Sequence, residues 1–132
     1  MSGRPVILVA DDDRDILELV SLALERDGYE LVLASNGEEA LALARTRPPS
    51  LVVLDVMMPR LDGYEVTRRL RADDATRTLP VVLLSAFADE LQAARGLAAG
   101  ADAYVKKPFS PRELSAQVAS LLDAPRAATA AG

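Results

Sequence analysis

Leu51 to Val66 reads LVVLDVMMPRLDGYEV, and its first five residues decide the fold. Four consecutive aliphatic residues without polar alternation make a strand that is apolar on both faces, the kind found inside a parallel sheet. Asp55 ends the run, Pro59 and Asp62-Gly63 turn the chain, and a helical pattern follows. Outward from there, PVILVA (5–10), LVLA (31–34), PVVLLS (80–85) and AYVK (103–106) read as further strands, the first and third of these again apolar throughout. Between the strands, Ile16, Leu17, Val20 and Leu24 recur at helical spacing, as do Leu114, Val118, Leu121 and Leu122, each set forming one stripe to lay on a sheet. Gly28 and Gly100 stand where the first and fourth helices should stop, and Pro48-Pro49 ends the second. The pattern predicts an α/β fold of type (βα)5, a doubly wound five-stranded parallel sheet over residues 1–122. DAPRAATAAG, residues 123–132, carries no stripe and reads as a flexible C-terminal tail or the start of a linker.

Composition narrows the chemistry. With 132 residues, half of them hydrophobic, the chain fits one domain with a full core. Its longest apolar runs are too short to span a membrane, and MSGRP lacks the apolar segment of a signal peptide, so a cytoplasmic protein without membrane contact is expected. A net charge of −5 argues against a direct nucleic-acid surface. There is no cysteine and no histidine, so no thiolate or imidazole is available; chemistry must run on carboxylates, hydroxyls, amines or a bound ion.

A doubly wound sheet places its ligands beyond the carboxyl ends of its strands. Those ends carry Asp11, Asp12 and Asp13 after strand one, Asp55 after strand three, Ser85 after strand four, Lys106-Lys107 after strand five, and Ser35-Asn36 after strand two. If the central strands are adjacent, several carboxylates, a hydroxyl and an ammonium meet in one patch. Carboxylates crowded in this way raise one another's pKa and stay ionised when a cation shares the site. The oxygen donors suit Mg²⁺, which takes one or two carboxylates together with waters and phosphate oxygens. Such a cation should stabilise the fold, and removal of Asp12 should relieve repulsion in its absence.

VADDD (9–13), LDVMMPRLDG (54–63), LLSA (83–86) and YVKKPF (104–109), in this order and each at a strand's carboxyl end, resemble the receiver domain of two-component response regulators. The resemblance covers Pro5 to about Leu122 and includes the single-domain chemotaxis regulators. It implies a flavodoxin-like fold with strand order 2-1-3-4-5. It also implies that Asp55 is the phosphoacceptor, a carboxylate nucleophile taking a phosphoryl group from a sensor histidine kinase or a histidine phosphotransfer protein. Asp12 with Asp11 behind it, Asp55 and the backbone carbonyl of Met57 would hold Mg²⁺. Lys107 would pair with the phosphoryl oxygens, Ser85 would hydrogen-bond the phosphoryl, and Tyr104 would turn inward as Ser85 moves. The family's hydrolytic water is gated two residues after the phosphoacceptor and two after the hydroxyl, here Met57 and Phe87, whose lack of a usable polar group implies a slowly decaying phosphoform. The activity implied is that of a phosphoacceptor, with at most self-phosphorylation and self-dephosphorylation, signalling through an unidentified downstream protein. The chain reads as a stand-alone receiver or as one excised from a longer response regulator with a separate output domain. It would act as a monomer or as a phosphorylation-dependent dimer. Winged-helix relatives pair through an acid before the switch aromatic and an arginine in the last helix, and Ala103 and Gln117 hold those positions here; Glu113 and Arg95 remain available.

Simpler readings compete at each position. Asp13 fits a helix cap, Asp55 a hydrogen-bonded structural acid, Ser85 a turn, Tyr104 packing, and Asp62-Gly63 turn chemistry. Lys106 reads as a surface lysine, whereas Lys107 has the family's offset to Pro108. A Mg²⁺-dependent phosphohydrolase of the haloacid dehalogenase type would place a second Asp two residues after the nucleophile, where this chain has Met57. A flavodoxin-like cofactor binder would cradle phosphate in its first loop, where Asp11 to Asp13 repel anions.

Overall fold

A computed structural model describes residues 3–86 and 90–123, the side chain of Glu90 excepted. Strands and helices alternate: β1 (Val6–Ala10), α1 (Arg14–Arg26), β2 (Glu30–Ala34), α2 (Gly37–Thr46), β3 (Leu51–Asp55), α3 (Gly63–Ala72), β4 (Val81–Ser85), α4 (Glu90–Ala99), β5 (Ala103–Lys106) and α5 (Pro111–Asp123). The strands form one parallel sheet in the order β2-β1-β3-β4-β5. The three strands read as apolar on both faces are its interior strands, and every residue of β3 and β4 is buried. The tail expected from residue 123 lies outside the described residues beyond Asp123.

Side-chain alternation along these strands feeds two cores. Ile7, Val9, Val53 and Leu84 face α1 and α5, meeting Val20, Leu24, Leu114 and Val118 of the two stripes legible in the sequence. Leu8, Leu54 and Leu83 face the other layer, where α2, α3 and α4 contribute Ala40, Tyr64, Leu70 and Ala99. Burying a Leu or Val side chain stabilises by about 1.5–3 kcal/mol, so β1, β3 and β4, packed from both sides, form the rigid floor of the strand-end edge.

Helix ends follow local chemistry. Asp13 caps α1, accepting from the N–H of Asp15 and of Ile16, and Asp62 caps α3 by accepting from Glu65 N–H at 2.8 Å; the capping role accounts for the Asp62-Gly63 turn. Gly28 and Gly100 adopt φ of +91° and +106° just beyond α1 and α4. In each case two backbone N–H groups fold back onto the last turn: Gly28 to Glu25 and Tyr29 to Leu24, Gly100 to Leu97 and Ala101 to Gly96. The second of these ends is also clamped from outside. Arg71 of α3 donates to Gly100 O (3.0 Å), Arg77 O (3.1 Å), Leu79 O (2.7 Å) and Asp102 Oδ2 (2.9 Å), and Asp102 also accepts from Val81 N–H at 2.8 Å. One guanidinium thus ties α3, the start of β4, the end of α4 and the approach to β5.

Candidate functional site

The strand-end edge is assembled by register. Ala10 pairs with Leu54, Asp55 with Leu84, and Ser85 with Lys106, so β1, β3, β4 and β5 deliver their terminal polar residues to one side of the molecule. Asp11 is fully buried and Asp55 is 4% exposed, while Asp12 stands in solvent above them. One carboxylate oxygen from each of the three lies within 4.8 Å of the others. Lys106 is exposed, as expected of a surface lysine, and Lys107 turns inward instead. Its Nζ lies 3.0 Å from Asp55 Oδ1 and 3.1 Å from Asp11 Oδ2, bridging the two buried acids. The backbone holds that geometry: Lys107 N–H donates to Ser85 O at 2.7 Å and Val56 N–H to Leu84 O at 2.9 Å.

Electrostatics follow from burial. Asp11 is pushed up to about 6, first by loss of solvent and then by the charge of Asp55, against the pull of the Asp13 N–H and of Lys107. Burial acts to lower the Lys107 ammonium, but its hydrogen bond to Asp55 and the charges of Asp55 and Asp11 outweigh it, so Lys107 lies above the ordinary lysine value. The cleft therefore holds positive charge already, with oxygen donors arranged around it. Hard, oxygen-only donors from Asp11, Asp12 and Asp55 fit a small divalent cation such as Mg²⁺.

The loop after Asp55 is packed tightly beneath and open above. A Cβ on Gly63 would come within 2.6 Å of Asp55 O and 3.0 Å of Val56 Cα, so the first turn of α3 lies directly against the end of β3. Arg60 adopts φ of +73°, and its guanidinium reaches Glu38 of α2 at 2.8 Å. Met57 is 62% exposed at the rim, which places its side chain outside the packed loop. Phe87, its expected counterpart in gating, lies outside the described residues.

Ser85 is buried at the end of β4, one strand from Asp55. Tyr104 is half-buried over Leu83 and Gly96, on the α4 side of the sheet, with its hydroxyl 3.4 Å from that of Tyr64. Arg95 lies over the Tyr64 ring at 4.6 Å, and Glu113 accepts from Ser110 N–H in the cap of α5. The two residues left available for pairing two copies are thus engaged within the chain. Three features escaped the sequence reading: the Lys107 bridge, the Arg71 clamp and Tyr64, for which the only sequence signal was an aromatic opening α3.

Four strand ends converging on buried acids and one inward lysine match a known pattern over most of the chain: residues 7–119 fit the family described as the response regulator receiver domain. The chain belongs to that family. Over 116 residues it is 48% identical to the alkaline phosphatase synthesis transcriptional regulatory protein PhoP of Bacillus subtilis, an alignment covering 88% of this chain and 48% of PhoP. Among solved structures, the receiver domain of a Francisella response regulator superposes with a TM-score of 0.84 at 38% identity, covering 90% of this chain and 97% of that one. Chemotaxis protein CheY4 of Vibrio cholerae gives 0.85 at 30% identity, covering 89% and 98%. This receiver spans about half the length of the curated relatives it matches, 48% of PhoP and 53% of the PhoB of Pseudomonas aeruginosa. Receiver domains are signalling modules that generally bind Mg²⁺ and interact with histidine kinases or phosphotransfer proteins. Among the described residues, no helix is long and apolar enough to cross a membrane.

Proposed function

We propose that this receiver accepts a phosphoryl group on Asp55 from the phosphohistidine of a sensor histidine kinase or a histidine phosphotransfer protein, in a Mg²⁺-dependent step. The observation that carries the reading is the Lys107 ammonium held 3.0 Å from a buried strand-end carboxylate, with two further acids beside it. An Asp55 carboxylate oxygen attacks phosphorus; the P–N bond breaks and its electron pair returns to the imidazole, leaving an acyl phosphate. Lys107 then exchanges Asp55 Oδ1 for a phosphoryl oxygen and offsets the charge on the transferred group. Asp11, Asp12, Asp55 and the carbonyl of Met57 would hold Mg²⁺, which supplies charge neutralisation at the phosphoryl oxygens. Ser85 donates its hydroxyl to the new phosphoryl, and Tyr104 responds to that movement as the switch. The output is a protein contact with a downstream partner, in the cytoplasm.

Intact-mass analysis after treatment with acetyl phosphate and Mg²⁺ tests the assignment. One added phosphoryl is expected in wild type and none in Asp55→Asn; equal labelling of the two removes Asp55 from its role. A second reading, that the receiver works within a longer response regulator carrying an output domain, is favoured by the length of its relatives, whose names describe transcriptional regulators. Immunoblotting the native host with antibody to the receiver separates the two: a band near 14.1 kDa supports the stand-alone form, and one about twice that mass the longer regulator.

A further inference from the structure

Tyr64 is the second residue of α3 and is 2% exposed. Its hydroxyl lies 2.9 Å from Gln92 Oε1, 3.3 Å from Gln92 O and 3.4 Å from the Tyr104 hydroxyl. A tyrosine has one hydroxyl proton. Both Gln92 oxygens accept, so the Tyr64 proton goes to Gln92, and toward Tyr104 the Tyr64 oxygen is the acceptor. Gly96 stands one turn further along α4. A Cβ there would meet Tyr104 Cδ2 at 3.0 Å, Leu83 Cδ1 at 3.2 Å and Tyr104 Cε2 at 3.4 Å, so the missing side chain is what leaves room for the Tyr104 ring. Gln92, Arg95 and Gly96 share one helical face, and each of them meets one of these two tyrosines.

The geometry points to Tyr64 as the positioning residue of the switch: its hydroxyl holds Tyr104 in an inward seat opened by Gly96 and ties that seat to α4 through Gln92. This rests on the reading of Tyr104 as the switch residue. When the Tyr104 ring leaves, Tyr64 loses a hydrogen-bond donor but keeps its grip on Gln92. The state of the seat then reaches α4 at Gln92, through Tyr64, and at Gly96, against the Tyr104 ring. Burial, followed by the Tyr104 hydroxyl, pushes the Tyr64 phenol up to about 12, so it remains a donor throughout the physiological range.

The test labels the full chain with 3-fluorotyrosine. Its three tyrosines give three ¹⁹F resonances, assigned through Tyr29→Phe and Tyr104→Phe. The Tyr104 fluorine is compared in H₂O and D₂O, where the isotope shift reports solvent exposure, and amide exchange is followed along 92–99. In Tyr64→Phe, the Tyr104 fluorine is expected to move toward the full solvent isotope shift, and the α4 amides to exchange roughly fivefold faster, the factor of one net hydrogen bond. In Gly96→Ala, the Tyr104 fluorine is expected to move the same way while α4 exchange slows, because alanine favours helix. A purely structural role would change the unfolding midpoint and leave the Tyr104 exposure alone. A wild-type isotope shift for Tyr104 in both variants overturns the proposal. The switch reading is tested separately, by adding Mg²⁺ and beryllofluoride to wild type. A Tyr104 resonance indifferent to that phosphoryl analogue would count against Tyr104 as the switch, while the comparison made without the analogue still decides whether Tyr64 and Gly96 build the seat.

Discussion

Replacing Asp11 with asparagine should change the pH dependence of stability. Asp11 is fully buried, and its carboxyl rises from the ordinary 3.8 to about 6, chiefly through burial. A folded-state value above the unfolded one means that the native protein binds more protons between those limits, so stability falls as pH rises through the window from 3.8 to about 6. At 1.36 kcal/mol per pH unit, the full penalty above that window is about 3 kcal/mol. Asp11→Asn keeps the oxygen that accepts from Asp13 N–H at 2.9 Å and removes the titration. An amide facing the Lys107 ammonium adds a constant offset, so the quantity to read is the slope. Urea denaturation of both proteins in EDTA, at several values from pH 4 to pH 8, should show the stability of the variant minus that of wild type growing by about 2–3 kcal/mol across the series. Mg²⁺ added at pH 8 should recover much of that difference for wild type alone, by binding the native state. A difference that stays level with pH would show that Asp11 carries no burial penalty, and the electrostatic account of the site would fail. Asp12, whose removal is also expected to relieve repulsion, stands in solvent with an oxygen within 4.8 Å of those of Asp11 and Asp55, and Asp12→Ala in the same metal-free series measures its share.

Gly63→Ala should destabilise by about 1–3 kcal/mol despite alanine's preference for helix, because its Cβ meets backbone, Asp55 O at 2.6 Å, rather than a side chain that can turn aside; urea midpoints decide it, and an unchanged midpoint refutes the close fit. Arg71→Met keeps the stem and removes four donated hydrogen bonds. With both ends of the Arg71–Asp102 pair about a quarter exposed, the loss should be about 2–3 kcal/mol, short of that for a fully buried pair, and Arg71→Lys should recover only part of it. For the phosphoform, Met57→Asn combined with Phe87→Glu should speed loss of the phosphoryl about tenfold, equivalent to ~1.4 kcal/mol in the barrier. Release of inorganic phosphate from the purified phosphoprotein measures it, and a double variant that decays at the wild-type rate ends the gating idea.

What was legible in the sequence was whatever a local pattern controls. LVVLD could be placed inside the sheet because a strand buried on both faces has no polar alternation, and its neighbours followed from the same rule. Asp13 as a cap, Gly28 and Gly100 as helix stops, and the convergence of strand ends on one edge all depend on a few adjacent residues and the βα alternation. The strand order itself came from the resemblance, since periodicity does not say which strands touch. Residues whose partners lie far along the chain were illegible. Arg71 reads like its neighbours Arg68 and Arg69, yet those two pair locally with Glu65, while Arg71 reaches Asp102 across 31 positions. Tyr64 looks like one more apolar contact of α3; only the approach of α4 and β5 gives its hydroxyl two partners. Lys107 could be singled out by its offset to Pro108, but its simultaneous hold on Asp11 and Asp55 depends on β1, β3 and β5 ending at the same level.

The Arg71 clamp gives α4 a fulcrum. Gly100 is pinned through its carbonyl to Arg71 at 3.0 Å, whereas the link to Tyr64 grips the helix at Gln92. At 1.5 Å per residue, those points lie about 12 Å apart along the axis. A sideways push of about 1 Å at Gln92 therefore becomes a swing of roughly 5° about a fixed end, rather than a slide of the whole helix. The outer face of α4 carries an exposed leucine near each end, Leu91 at 68% and Leu97 at 67%. Leu97 lies about 4.5 Å from the fixed end and Leu91 about 13.5 Å from it, so the second swings about three times as far and a partner touching both would sense a change of angle, with Leu97 near the hinge side of a door and Leu91 at its edge.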